Sequence, residues 1–237
     1  MNWLSGLLRR QPQIDGAIAA ALAGYRSQEQ PDLQTALATQ RVVVVDVEAS
    51  GLDPFRDRLI SIGAVAVHGG LVRLDDSFDT VLRQDTVSDD RNILIHGIGG
   101  SAQLLGRDPT SGLVDFLGFA GKAPLIAFHA DFDRILIERT TGATLRMKPN
   151  NAWLDLALLA PALFPEHERA LRTLDGWLNL FGIQNHDRHD ALADALATAQ
   201  LLLVMLAAAG RQGLATWADL ARLQKDRRWL GAPGRYV

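Results

Sequence analysis

Four consecutive valines, Val42 to Val45, constrain the fold more than any other feature of this sequence. An uninterrupted run of β-branched residues is typical of a central strand that is buried on both faces. Asp46-Val47-Glu48 follows directly, and side chains two residues apart on a strand point to the same side. Two carboxylates at the end of a buried strand are costly to hold together unless a cation binds them, and a divalent metal ion is the obvious partner. The alternative is a strand that simply ends in polar residues.

The remaining apolar segments predict an α/β domain. Runs at 59–67 and 71–82 complete a meander of three strands, and shorter strands are expected at 124–128 and 153–155. The segment 85–112 is polar and glycine-rich. Helices are expected at 113–119, 132–139, 156–163, 171–181 and 191–209. The predicted strands come first along the chain and the helices are interleaved later. This order favours a mixed sheet of five strands flanked by helices.

The two ends of the chain lie outside this pattern. Residues 1–38 predict an N-terminal helical extension, in which Leu4, Leu7 and Leu8 form one apolar face and Ile14, Ile18 and Leu22 another. Residues 39–209 form the main domain and 210–237 a C-terminal extension. Lys225 to Trp229 mixes basic and aromatic residues, so it could contact nucleic acid. We favour a solvated tail with one packed tryptophan.

Composition narrows the function classes. The 237 residues carry a formal net charge of −3 and are 48% hydrophobic, which is typical of a globular protein and unlike a basic nucleic-acid-binding module. The chain has no cysteine, which excludes disulfides, thiolate metal sites and a cysteine nucleophile. No apolar run approaches the roughly 20 residues of a membrane span, and the alanine-rich stretch at 17–23 does not resemble a signal peptide. We therefore expect a cytoplasmic protein with no membrane partner.

A second group of polar residues follows the strand predicted at 124–128. It comprises His129, Asp131 and Asp133, and it opens the next helix. Asp133 would lie in the first turn, where an aspartate often only complements the helix dipole. Asp131 is the natural N-cap of that helix.

A third group begins the long helix predicted at 191–209. His189 and Asp194 are five residues apart, and Asp194 lies on an otherwise apolar alanine and leucine face. Taken alone, His189 reads as a surface or capping histidine and Asp190 as a helix-start residue. His186, three residues earlier, is expected in a loop.

In this order the three groups resemble the motifs of the DEDDh group of 3′–5′ exonucleases, which has a ribonuclease-H-like fold and includes the proofreading subunit of bacterial DNA polymerase III. The first motif, Asp-x-Glu-x-Thr-Gly, corresponds to 46–51, with Ser50 in place of Thr. The second, Asn-x-x-x-Asp, corresponds to 129–133, with His129 in place of Asn. We expect this replacement to alter the activity of the site rather than to abolish it. The third, His-x-x-x-x-Asp, corresponds to 189–194. The resemblance covers about residues 40–208, so it implies an exonuclease domain at 39–209.

The resemblance implies a reaction and a set of roles. Two divalent cations, Mg²⁺ or Mn²⁺, would be held by Asp46, Glu48, Asp133 and Asp194. His189 would act as general base. Substrate-binding positions would be Ala49, Leu52, His96, His129 and Phe132. The implied substrate is the 3′ end of a nucleic acid, with DNA favoured over RNA, and the implied partner is a DNA polymerase or another replication or repair protein.

Several alternatives stay open at this stage. Leu52 and Phe132 could be core residues, His96 could be a simple loop histidine, and Asp155 could be a structural aspartate. A related enzyme could act on RNA, and a binding module could have lost catalysis. The five catalytic positions are all present, which argues against the binding module.

Overall fold

The computed structural model describes residues 16–230, so the predicted faces of Leu4, Leu7, Leu8 and Ile14 lie outside the described range. The strands are β1 (Val42–Ala49), β2 (Leu59–His68), β3 (Leu71–Val81), β4 (Leu125–Ala127) and β5 (Trp153–Asp155). The α-helices are α1 (Gly16–Ser27), α2 (Asp90–His96), α3 (Gly100–Leu104), α4 (Pro109–Ala120), α5 (Ala130–Leu145), α6 (Leu156–Leu163), α7 (Leu174–Leu180), α8 (Ala191–Arg211) and α9 (Trp217–Leu230). Short 3₁₀ helices occur at Leu37–Thr39 and Pro165–His167.

The five strands form one mixed sheet in the order β3-β2-β1-β4-β5. β1 is antiparallel to β2 and parallel to β4, and β5 is parallel to β4. The first three strands are therefore the predicted meander, and the two short strands extend the sheet on its other side. This confirms the mixed five-stranded sheet, with β1 at its centre.

The valine run divides the core into two layers. Val42 and Val44 pack in a cluster with residues of α6, α7, α8 and α9. Val43 and Val45 pack in the opposite cluster with residues of α1, α4 and α5. All four valines are at most 1% exposed, so the prediction of a strand buried on both faces is confirmed.

Some helices begin or end elsewhere than predicted because side chains cap them. α7 begins at Leu174 rather than at 171, since the Thr173 hydroxyl accepts a hydrogen bond from the backbone N–H of Gly176 at 3.2 Å. α4 begins at Pro109 because Asp108 caps it. The polar segment 85–112 contains α2 and α3, which apolar periodicity did not reveal.

The prediction of a solvated C-terminal tail with a packed tryptophan is wrong. Lys225 to Trp229 lies within α9, which packs against α6. Arg227 forms an ion pair with Glu168, and Trp229 is 65% exposed. α9 is anchored instead by Trp217, which is 2% exposed.

The prediction that no apolar run approaches the length of a membrane span is wrong, because one helix of the described residues, α8, is long and apolar enough to cross a membrane. It packs against β1 and β2, and just over half of its apolar window is buried inside the protein. α8 is therefore the central core helix of this fold.

Candidate active site

Asp46 and Glu48 lie in the last half of β1, on the face that packs against α8. Glu48 is 9% exposed, and burial followed by repulsion from Asp194 raises its pKa to about 8, although Arg188 opposes the rise. Burial and the carboxylates of Asp133, Asp194 and Glu48 also raise the pKa of Asp46 well above its ordinary value. The strand thus holds two carboxylates where ionisation is unfavourable without added positive charge.

The turn before α8 brings the third motif against these carboxylates. Asp190 caps α8, as expected for a helix-start residue, by accepting a hydrogen bond of 2.9 Å from the N–H of Ala193. His189 adopts a left-handed backbone with φ of 65°, and its N–H donates to Oδ2 of Asp194 at 3.0 Å. Asp194 is 3% exposed. The backbone of this turn therefore orients one buried carboxylate and fixes the position of the histidine beside it.

Gly63 of β2 makes this close approach possible. It pairs with Asp46 in the sheet, and a Cβ atom at Gly63 would lie 2.1 Å from the backbone nitrogen of Leu192 and 2.2 Å from the backbone carbon of Ala191. Those backbone atoms cannot retreat without displacing the start of α8. The sequence signal for this contact is slight: a glycine inside an apolar strand often marks close backbone approach.

The start of α5 supplies the second motif. His129 occupies the N-cap with a left-handed φ of 65°, and its N–H donates to Oδ1 of Asp155 at 3.0 Å. The same oxygen accepts from the N–H of Ala157 at 2.9 Å, so Asp155 has the structural role considered for it. Asp133, in the first turn, is 4% exposed, and its pKa is raised by burial and further by Asp155 and Glu48.

The prediction that Asp131 caps this helix is wrong. His129 holds the N-cap, and no side chain makes the capping hydrogen bond. Asp131 instead pairs with Arg134 at 3.1 Å and with Arg228 of α9 at 3.2 Å. The backbone of the cap is held by Asp155, which is distant in sequence, so the local preference for an aspartate cap does not decide the geometry.

A cavity of about 290 Å³ opens over the three motifs. Its lining residues are Asp46, Val47, Glu48, Phe128, His129, Thr173, Leu174, Arg188, His189 and Asp194. Ligand atoms of Glu48, His189 and Asp194 all lie within 4.8 Å of one another. Carboxylate oxygens and an imidazole nitrogen in an environment with excess negative charge suit a hard or intermediate divalent cation. Asp133 lies outside the lining, but its carboxylate raises the pKa of Asp46.

Two residues that the sequence analysis missed contact Asp194. Arg188 pairs with Oδ2 of Asp194, and its Nε lies 2.6 Å from Oδ1 of Asp175 on α7. The side-chain amide of Asn185 donates to Oδ1 of Asp194. Arg188 thus places one positive charge among the carboxylates. An arginine beside a motif histidine is more often solvated, so the sequence offered no usable signal.

The residues predicted to bind substrate are not all in one place. His129 lines the cavity, whereas Ala49, Leu52, His96 and Phe132 do not. Leu52 is 92% exposed, so the core alternative for it is wrong. Phe132 is half-buried against the core and Ala49 is buried in it. Their contacts with substrate stay predictions.

The assumption that His96 is a loop histidine is wrong. It ends α2 and is 5% exposed. Its Nδ1 accepts a hydrogen bond from the N–H of Ile98 at 3.0 Å, and its Nε2 lies 3.4 Å from the Ser88 hydroxyl. Burial lowers the pKa of His96, and the nearby His189 lowers it further. His186, by contrast, lies in a loop as expected.

The order of the strands and the acidic cluster on the central one define a ribonuclease-H-like fold. The profile of the exonuclease family RNase_T matches residues 43–202. The chain belongs to this family of exonucleases, whose members use divalent metal ions. The matched range contains all three motifs and excludes α1 and α9.

Several relatives carry DNA polymerase III names. DNA polymerase III subunit epsilon of Aquifex aeolicus is 29% identical over 188 residues, which are 78% of this chain and 90% of that protein. DNA polymerase III PolC-type of Thermotoga maritima is 27% identical over 77% of this chain, which spans only 13% of that polymerase. An epsilon-like protein of Rhodobacter capsulatus is 30% identical over 83% of this chain and 28% of its own length.

Solved structures share the fold. E. coli exonuclease I in complex with a dT13 oligonucleotide superposes with a TM-score of 0.63 at 17% identity, over 73% of this chain and 42% of that one. Exonuclease X in complex with 5′ overhanging duplex DNA superposes with a TM-score of 0.60 at 19% identity, over 77% of this chain and 99% of that one.

Proposed function

We propose that the protein is a metal-dependent 3′–5′ exonuclease that hydrolyses the terminal phosphodiester of DNA and releases nucleoside monophosphates. One observation carries this proposal: β1, the turn before α8 and the first turn of α8 contribute Asp46, Glu48, His189 and Asp194 to one cavity, and Asp133 is near enough to raise the pKa of Asp46. A cluster of this composition is suited to metal-assisted attack on a phosphate.

Asp46, Glu48, Asp133 and Asp194 are the residues that would hold the metal. Burial and mutual repulsion raise the pKa values of Asp46, Glu48 and Asp133. A bound cation would favour the ionised form of each carboxylate and relieve this repulsion. Two divalent ions, Mg²⁺ or Mn²⁺, would supply the positive charge that activates the attacking water and stabilises the leaving 3′-oxygen. Asp194 is already oriented by the N–H of His189.

His189 is assigned as the general base. Its side chain is exposed at the mouth of the cavity, where a water can reach it, and its backbone is fixed by the hydrogen bond to Asp194. An imidazole can accept a proton near neutral pH, which the ionised carboxylates cannot do while they bind metal. His189 therefore removes the proton from the attacking water, and the buried carboxylates remain ligands.

The terminal nucleotide would contact the residues around the end of β1. Leu52 is exposed and apolar, which suits packing against a base, whereas Ala49 is buried in the core and Phe132 packs against the core. His96 is buried near His189 and is proposed to support that side of the site. His129, in place of the asparagine of related motifs, faces the cavity.

Degradation of a 5′-labelled single strand tests the proposal. The protein is incubated with a DNA oligonucleotide or its RNA counterpart, in magnesium, in manganese, and with chelator. We expect a metal-dependent ladder that shrinks from the 3′ end and forms faster on DNA. A faster ladder on RNA would reassign the substrate to RNA, and the absence of a ladder on both polymers would favour a binding module.

DNA is proposed as substrate because the Aquifex relative is a DNA polymerase III subunit and exonuclease X was solved with DNA. Because relatives carry DNA polymerase III names, we also propose a DNA polymerase or another replication or repair protein as partner. A cytoplasmic location is proposed with it. The division into 1–38, 39–209 and 210–237 also stays a proposal. Retention of the purified protein on an immobilised polymerase III core would test the partner.

A further inference from the structure

A second cavity, of about 360 Å³, adjoins the catalytic cavity across His129, which lines both. It lies between α6, the segment that follows α6, and α9. Its lining residues are His129, Ala157, Leu158, Pro161, Glu168, Leu171, Arg172 and Arg227. We call it the arginine groove.

The charge of the arginine groove is opposite to that of the catalytic cavity. Arg227 forms an ion pair with Glu168, and Arg169 and Arg172 lie near enough to the same carboxylate to lower its pKa further. Arg172 is exposed, and within residues 16–230 it pairs with no carboxylate. Two arginines, Arg172 and Arg227, and one glutamate, Glu168, line the groove, which leaves net positive charge beside an acidic site.

Part of the lining of the arginine groove is apolar. Leu158, Pro161 and Leu171 are each half-buried, so part of every side chain faces the groove. Positive charge together with apolar surface is the combination that binds single-stranded nucleic acids, whose phosphates contact arginines and whose bases pack on apolar side chains.

α9 is held in a fixed position relative to the catalytic residues. The side chain of Gln224 accepts a hydrogen bond of 2.6 Å from the N–H of Asp155, the residue that also holds His129. Arg228 pairs with Asp131 at the start of α5, two residues before Asp133. Arg227, between these two contacts, is therefore presented at a defined distance from the catalytic cavity.

We propose that the arginine groove binds the nucleotides that precede the scissile phosphate in a single strand whose 3′ end lies in the catalytic cavity. The proposal rests on the proposed function and adds to it the path of the substrate. Arg227 comes from α9, outside the part of the chain that matches the exonuclease family. The C-terminal extension would thus contribute directly to substrate affinity.

Two substitutions that break the same ion pair provide the test. Arg227→Gln removes positive charge from the groove, whereas Glu168→Gln removes negative charge and releases Arg227. A structural role for the pair predicts the same direction of change for both. Binding of a strand in the groove predicts opposite directions: weaker binding for Arg227→Gln and tighter binding for Glu168→Gln, each by about two- to fivefold.

The measurement is fluorescence anisotropy of a labelled single-stranded DNA of about 12 nucleotides in calcium, over a range of salt concentrations, with intact length checked on a gel. Arg172→Gln should weaken binding as Arg227→Gln does, and each should reduce the slope of log affinity against log salt by about 0.7. Arg211→Gln is the matched control, because Arg211 is an exposed arginine at the far end of α8, and it should bind as wild type does.

Two outcomes overturn the proposal. Equal affinities and salt slopes for wild type, Arg172→Gln and Arg227→Gln would show that the strand runs elsewhere, and so would changes of the same sign in Arg227→Gln and Glu168→Gln. Failure of the proposed function is distinguishable, because then the wild-type protein itself degrades neither polymer in magnesium or manganese.

Discussion

Glu48 makes the stability of the metal-free protein depend on pH. Its folded-state pKa is raised from 4.5 to about 8, so the folded state retains a proton that the unfolded chain releases. The contribution of Glu48 to the free energy of unfolding is therefore fully present below about pH 4.5. It falls by up to about 1.4 kcal/mol per pH unit and is lost as pH rises through about 8. Urea unfolding in chelator between about pH 5 and about pH 9 should show this decline.

Glu48→Gln is the control for that decline. The amide cannot ionise, so the variant should lose less stability over the same interval, although Asp46 and Asp133 continue to titrate in the same direction. If the wild-type protein became more stable as pH rose, the account of these carboxylates would be wrong.

His189 should be needed for turnover but not for metal binding. His189→Ala removes the proposed base and leaves the four carboxylates in place, so we expect turnover to fall by about 10²- to 10⁴-fold. Turnover of labelled DNA and calorimetric titration with manganese would separate the two properties. Equal turnover in the variant and wild type would reject the assignment. A large loss of manganese affinity would instead make His189 a metal ligand, as its distance from Glu48 and Asp194 also permits.

At the scale of secondary structure elements, the contact between β2 and α8 determines whether the motifs meet. Gly63→Ala would place a methyl group about 2.1 Å from the backbone of Leu192, which must move. Displacing α8 shifts Asp194 away from β1, so we expect a loss of about 2–5 kcal/mol in stability together with most of the activity. Gly210→Ala, where a Cβ meets nothing within 4 Å, is the matched control. Wild-type unfolding and turnover for Gly63→Ala would contradict this role.

The elements that carry the first motif could be predicted because their signals are local. The valine run by itself predicts a buried strand. Asp46 and Glu48 are two residues apart on that strand, so their side chains are predicted to share one face. Other contacts join residues that are distant in sequence, such as Gly63 with Leu192 and Arg228 with Asp131. No periodicity encodes those contacts. The cap of α5 shows the consequence, because a hydrogen bond from the N–H of His129 to the distant carboxylate of Asp155 overrides the local preference for Asp131.

At the scale of the whole molecule, metal binding should stabilise the fold. The buried carboxylates come from β1, α5 and α8, so a bound ion ties three elements together. Manganese at about 100 times its dissociation constant adds about 2.7 kcal/mol, which corresponds to a rise of about 5–10 °C in Tm for a chain of this size. Thermal unfolding in manganese and in chelator at equal ionic strength measures it. Identical Tm values would mean that no ion binds the folded state.

The most direct test of the account is the turnover of a 5′-labelled single-stranded DNA by wild type and Asp46→Ala over a manganese titration. Asp46 lies at the centre of the cluster, and its pKa responds to each of the other three carboxylates. We predict that wild-type turnover rises to saturation with manganese and that Asp46→Ala has no metal-dependent turnover at any concentration. Turnover of Asp46→Ala within about threefold of wild type would contradict the account, since the chemistry would then take place elsewhere.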